Sequence, residues 1–142
     1  MALKPAKTFE ELEIWRDACR LSLAVHILTN TGEFGHDYAF RDHLRKSSIS
    51  IPSNIAEGFE RGSNREFARF LWIAKGSEGE LRTQLYLAVK LDYITMIKAK
   101  PVLTQCKILS KRIAKLIVYL QTHTKPATCN SKNKTFKKRR KI

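Results

Sequence analysis

Apolar residues recur along this chain at helical spacing in four separate stretches, and no stretch alternates as a strand would. Ile14, Ala18, Leu21, Val25 and Leu28 follow at intervals of four and three, the seam of a helix packed nearly parallel to its neighbours. Leu12, Trp15, Cys19 and Leu23 lie beside that seam, so the helix is apolar over more than half its circumference. Deep burial and a subunit interface both account for that width. Thr8 with Glu11, and Glu10 and Glu13 in the first turn, predict a capping box that opens this helix and carries it to about Leu28. Thr29 to Gly35 reads as a loop.

Asp37 is placed to cap a second helix, from about Tyr38 to Glu60, with Leu44, Ser48, Ile51, Ile55 and Gly58 as its seam. Pro52 falls inside it, and because the periodicity survives the proline without a change of register, one kinked helix is expected. Arg61 to Asn64 makes a tight link, Gly62 suiting a helix C-terminus and Ser63 with Glu66 forming another capping box. Phe67, Phe70, Ala74, Ser77, Leu81, Leu85 and Ala88 stripe a third helix ending near Leu91. Its middle, Gly76-Ser77-Glu78-Gly79-Glu80, has poor helix propensity, and a close helix–helix approach is expected there. After a link at Thr95 to Lys100, Pro101 begins a fourth helix with Val102, Cys106, Leu109, Ile113, Leu116 and Leu120 as its seam, ending near Gln121. The expected fold is all-α, an antiparallel up-down four-helix bundle over residues 8–122. Residues 1–7 form a basic leader and residues 123–142 a disordered basic tail.

Charge changes this picture. Twenty-seven Lys and Arg stand against 13 Asp and Glu, a net +14, of which residues 125–142 supply +8 and residues 1–124 supply +6. Both surpluses point to a polyanionic partner, nucleic acid ahead of an acidic protein or a membrane surface. Arg41 and Arg45 lie one turn apart with Lys46 adjacent, and Arg61, Arg65 and Arg69 run along one face into the third helix. Lys107, Lys111 and Lys115 recur every four residues with Arg112 beside them. In the tail, Lys137, Lys138, Arg139, Arg140 and Lys141 suit a phosphate-binding arm, with Phe136 free to stack on a base. These are the candidate nucleic-acid contacts. Any one of them taken alone fits a solvated face; their clustering gives them weight.

No catalytic constellation emerges. His26, His36, His43 and His123 have no metal-ligand spacing, and none accompanies a nucleophile motif. Cys19, Cys106 and Cys129 are odd in number and widely spaced, which fits unpaired thiols in a reducing compartment. No metal or cofactor is implied. No apolar run reaches the roughly 20 residues of a membrane helix, and Phe9 to Glu13 places acids where a signal peptide needs apolar residues, so a cytoplasmic protein is expected. The polar residues around Pro52 (Ser50, Ser53, Asn54, Glu57) suit a packing role better than a binding one.

The order Phe9-Glu10-Glu11-Leu12-Glu13-Ile14-Trp15, Ser50-Ile51-Pro52-Ser53-Asn54-Ile55-Ala56-Glu57-Gly58, Arg61, Glu66 to Leu71, Ala74 to Ser77 and Glu80 to Leu85 resembles the four-helix bundle family of 23S rRNA intervening-sequence proteins. That family is encoded in insertions in bacterial 23S rRNA genes and is related to the accessory variability proteins of diversity-generating retroelements. The resemblance spans roughly Thr8 to Leu120. It implies a bacterial or phage-encoded bundle that assembles as a homo-oligomeric ring, typically a pentamer, with no known catalytic activity. For the retroelement relatives it implies RNA or DNA binding and docking on a reverse transcriptase. It carries over no catalytic residue and does not extend to the basic tail.

Overall fold

The computed structural model describes residues 5–124; the expectations for the tail, Lys137, Lys138, Arg139, Arg140 and Lys141 included, lie outside the described residues. A 3-10 turn at Phe9–Glu11 leads into α1 (Glu13–Leu28), and a second at Gly32–His36 separates α1 from α2 (Tyr38–Glu60). Then come α3 (Asn64–Lys90) and α4 (Met96–Thr122). No strand occurs among the described residues, and the architecture is an all-α four-helix bundle.

Each seam turns inward. Ile14, Ala18, Leu21 and Val25 of α1 meet Leu44, Ile51 and Ile55 of α2, Leu81, Leu85 and Ala88 of α3, and Cys106, Leu109 and Ile113 of α4 in one core. Late in α4 the buried residue is Ile117, with Leu116 only partly covered. A straight helix drifts about 20° per heptad from a strict seven-residue repeat, which accounts for the slip. Polar contacts key adjoining helices together. Ser22 Oγ lies 3.1 Å from Ser48 Oγ, and Arg45 Nε donates to Thr29 Oγ1 at 2.9 Å, so residue numbers rise along α1 as they fall along α2.

The stretch around Pro52 acts in packing. Helix α2 runs continuously through the buried proline. Ser50 Oγ lies 2.9 Å from Ser77 Oγ of α3, and Asn54 Nδ2 donates back to the Ser50 carbonyl at 2.8 Å. Gly58 faces α3 so closely that a Cβ there would stand 2.5 Å from Phe70 Cβ. Only glycine permits that approach.

Two local expectations give way and a third narrows. Thr8 makes no side-chain cap; α1 starts after Leu12, which is extended, and the Glu11 carboxylate instead accepts from the Lys7 backbone N–H at 2.8 Å. Phe9 packs edge-on against Trp15, with centroids 5.2 Å apart, and this aromatic contact, worth about 0.5–1.5 kcal/mol, competes with a local cap of similar strength. Helix α4 begins at Met96, not Pro101, because Thr95 caps it by accepting from Lys98 N at 3.3 Å. Pro101 then removes a single interior hydrogen bond. In the middle of α3 it is Ser77 that meets α2, at Ser50; Gly76 and Gly79 play no part in that approach, since a Cβ at either would meet nothing within 4 Å.

The links are well specified. Asp37 caps α2 by accepting from Phe40 N at 3.1 Å, and its second oxygen accepts from Tyr93 Oη at 2.8 Å, which raises the Tyr93 pKa. Gly62 has φ +78 after α2. Asp92, with φ 60, ends α3 in a Schellman motif: Tyr93 N donates to Ala88 O at 2.9 Å and Asp92 N to Val89 O at 3.1 Å.

Candidate nucleic-acid interface

Helix α4 carries Lys98, Lys100, Lys107, Lys111, Arg112 and Lys115 and no carboxylate, and all six cations are exposed. Burying Val102, Cys106, Leu109 and Ile113 on the core side forces the intervening basic positions outward. Lys100, Lys107, Lys111 and Lys115 follow at intervals of seven, four and four on the outer face. At 1.5 Å rise per residue they make a row about 22 Å long, enough to follow several phosphates. Among the described residues, none of α4's lysines stands within ion-pairing distance of a carboxylate. Arg112 differs: it pairs with Asp17 of α1 and stands 4.0 Å from Glu13.

The other clusters are more self-contained. Arg61 and Arg69 come together on one ring, their guanidinium carbons 5.1 and 4.8 Å from the Phe70 centroid, while each also pairs with a carboxylate one turn away, Glu57 at 3.0 Å and Glu66 at 3.2 Å. Arg65 is exposed and has no ion pair among the described residues. Arg41, Arg45 and Lys46 are engaged in three different ways. Arg45 reaches back to Thr29 at the end of α1, Arg41 lies over the Tyr38 ring at 4.8 Å, and Lys46 is exposed. Arg45 thereby ties α2 to the electronegative C-terminus of α1.

Below the α4 face lies a buried polar seam. Glu78 of α3 is fully buried, with Arg82 Nε 2.7 Å from its Oε1 but not aimed for a hydrogen bond, so the contact is one of charge. Burial raises the Glu78 pKa, opposed first by the charge of Arg82 and more weakly by that of Lys75. Burial, then the Glu78 carboxylate, pushes the neighbouring Cys106 thiol up to about 12. That thiol is a packing group, far from the reactive thiolate range.

His26 and His123 are turned onto their own helices: Nδ1 of His26 lies 2.8 Å from the Ser22 carbonyl and Nδ1 of His123 lies 2.8 Å from the Tyr119 carbonyl. Among the described residues no three His, Cys, Asp or Glu side chains converge as a metal site would need, and no helix is long and apolar enough to cross a membrane.

Lys98 and Lys100 share the exposed surface of α4 with the expected contacts, and Arg16 and Arg20 are exposed on α1, though their spacing does not single them out. A simple signal locates the lysines. Residues 1–92 hold 13 basic and 13 acidic side chains, whereas residues 93–142 hold 14 basic and none acidic, so the whole net charge follows Asp92.

Among curated proteins the sequence finds no match. The fold is similar to that of a crystal structure of a Bacteroides thetaiotaomicron VPI-5482 protein of unknown function from the S23 ribosomal protein family. The two share 19% identity with a TM-score of 0.67, over 73% of this chain and 97% of the other. The model of the 23S rRNA-intervening sequence protein family matches residues 10–115, from the first 3-10 turn into the last third of α4. With its four seams, its packed Pro52 stretch and that match in hand, the chain belongs to the 23S rRNA-intervening sequence protein family.

Proposed function

We propose that this chain is a non-enzymatic nucleic-acid-binding bundle that works as an oligomer and meets RNA or DNA phosphates with the outer face of α4. The observation that carries this reading is the row Lys100, Lys107, Lys111 and Lys115, exposed on a helix without a carboxylate. An unneutralised row of this kind favours a polyanion and supplies binding without sequence preference. The cations of the tail add to the same sign. Arg61, Arg65, Arg69, Arg41 and Lys46 form a secondary, partly self-neutralised contact set in this reading. The absence of chemistry is part of the proposal: His26 is turned onto its own helix, and both Asp37 oxygens are engaged by Phe40 and Tyr93.

Self-association, as a ring of five, is the second part. It is supported by exposed apolar side chains on outward faces, Leu23 and Ile27 of α1 and Trp72 and Tyr86 of α3. Gly76 and Gly79 lie in sequence between Trp72 and Tyr86, and a Cβ at either would meet nothing of this chain within 4 Å. A reverse transcriptase is the proposed protein partner if the chain serves a retroelement; an rRNA insertion is the other setting. Salt-titrated binding to RNA and to single- and double-stranded DNA tests the first part. Affinity that falls steeply with salt is expected, and salt-independent binding, or binding only to an acidic protein, overturns it. Sedimentation equilibrium tests the second part, and a monomer at micromolar concentration overturns it.

A further inference from the structure

Two clefts meet between α1 and α4. One, of about 230 Å³, is lined by Asp17, Arg20, Gln105, Ile108, Leu109 and Arg112. The other, of about 320 Å³, is lined by Glu13, Arg16, Asp17, Arg20 and Arg112. They share Asp17, Arg20 and Arg112, and so form one groove with two unlike halves. The first half has an aliphatic wall, Ile108 and Leu109, and an amide, Gln105. The second half is charged throughout.

The shared trio is tightly organised. Asp17 Oδ1 accepts from Arg20 Nη1 at 2.8 Å, while Asp17 Oδ2 accepts from Arg112 Nη1. One carboxylate thus holds two guanidiniums at the junction of the halves. Each guanidinium has five N–H donors and uses one on Asp17, leaving others for a ligand. Arg16 is also anchored, its Nε donating to the Glu10 carbonyl at 2.8 Å. Three arginines against Glu13 and Asp17 leave the groove with a surplus of positive charge. Side chains already held in place lose less rotamer entropy when an anion arrives, and a guanidinium fork matches phosphate oxygens in geometry.

We propose that this groove is a nucleotide-binding subsite. A phosphate is taken by Arg20 and Arg112, with Arg16 at its edge, and the adjoining base lies against Ile108 and Leu109. Gln105 offers both a donor and an acceptor to the edge of that base. Unstacked bases are recognised in this manner, which makes a single strand or a free mononucleotide the ligand and a regular duplex a poor one. The proposal deepens the nucleic-acid reading by giving the lysine row of α4 a neighbouring point at which one nucleotide is seated. Asp17 is then a positioning residue that also opposes the ligand, because it occupies two of the donors the phosphate needs.

That dual position gives the test. Full-length protein is titrated with a fluorescent single-stranded RNA 12-mer for affinity, and methyl NMR at Ile108 and Leu109 follows the addition of AMP or of the unlabelled 12-mer. Arg20, whose side chain is 71% exposed, is replaced without disturbing the core. Arg20→Ala is expected to weaken 12-mer binding by about tenfold, as loss of a charge-assisted hydrogen bond implies. Asp17→Asn is expected to tighten it, since removing a full repelling charge and freeing two donors outweighs the loss of positioning that the neutral amide only partly keeps. If Asp17 were only a clamp between helices, Asp17→Asn would lower the unfolding midpoint and leave affinity unchanged, which overturns the proposal. AMP shifts confined to the groove support a free-nucleotide ligand, and shifts with the 12-mer alone support a strand. Shifts with neither overturn the subsite. Unchanged affinity in Arg20→Ala, with a large loss on neutralising Lys107, Lys111 and Lys115, rejects the groove and keeps the nucleic-acid reading. No loss in either variant rejects both.

Discussion

Ahead of α4 an arginine is commonly met by a carboxylate within one turn: at the surface Arg20 by Asp17, Arg61 by Glu57 and Arg69 by Glu66, and below it Arg82 by the buried Glu78. In α4 the paired cation is Arg112, and its partners Asp17 and Glu13 belong to α1. The four lysines of the outer row have no ion pair among the described residues. Exposed pairs spaced three or four residues apart neutralise the surface locally and add little stability. An unpaired row leaves a field directed outward, which an anionic partner relieves. The contrast sets a locally neutralised surface apart from the α4 face, whose charge is left open for the proposed anionic partner.

The largest effect is therefore expected where binding is altered without touching the core. Lys107→Gln, Lys111→Gln and Lys115→Gln together should weaken single-stranded RNA binding on the order of 10–100-fold near physiological salt, with an unchanged thermal midpoint. Fluorescence anisotropy and circular dichroism read the two halves of that statement. The matched triple change at Arg61, Arg65 and Arg69 should weaken binding less, because Glu57 and Glu66 already neutralise two of them. An equal loss would break the contrast.

The converse dissociation comes from the α2–α3 contact. Gly58→Ala must displace Phe70, and a cost of about 1–3 kcal/mol in urea denaturation is expected with RNA affinity per folded molecule unchanged. Gly76→Ala meets open space, so in the isolated chain it should stabilise α3 by about 0.5–1 kcal/mol. If the outer face of α3 is a self-association surface, the same change reduces oligomer size in sedimentation.

A smaller effect separates the buried seam from the surface. The Glu78 pKa is raised above its ordinary 4.5 by burial. A raised folded-state pKa gives stability that is present below the unfolded value and lost as pH rises through the folded value. Glu78→Gln carries no such loss, so its urea midpoint should gain on that of the native chain as pH rises from about 4.5. Equal midpoints from pH 4 to 8 would contradict the burial of a charged group. Last, burial raises both thiols, Cys106 far more, so alkylation at pH 8 should modify the partly buried Cys19 before the buried Cys106 in native protein, and mass spectrometry of tryptic peptides reads the order.

Helical periodicity made most of the fold legible. The seams of α1 to α3 place the core correctly, and α2 begins and ends within a residue of its expected bounds, since Asp37 and Gly62 are local signals with local causes. What escaped depends on contacts distant in sequence or on competition between local options. The Thr8 capping box gives way to a 3-10 turn from which Phe9 packs on Trp15, and Thr95 outranks Pro101 as the start of α4. The tight glycine is Gly58, which periodicity places on the α2 seam, whereas Gly76 and Gly79, drawn in by composition and lying off the α3 stripe, face outward. At the candidate interface, Lys107, Lys111 and Lys115 were readable from their spacing alone. The Asp17–Arg112 pair spans 95 residues, and Arg45 turns back to Thr29; neither leaves a mark in local sequence.

The central claim is that α4 meets phosphate through charge, and the slope of log affinity against log salt tests it most directly. For a single-stranded RNA the native chain should lose affinity steeply as salt rises, and neutralising Lys107, Lys111 and Lys115 should flatten the slope by about two, at roughly 0.7 per phosphate contact. A slope that is the same for the native and the neutralised chain would contradict it.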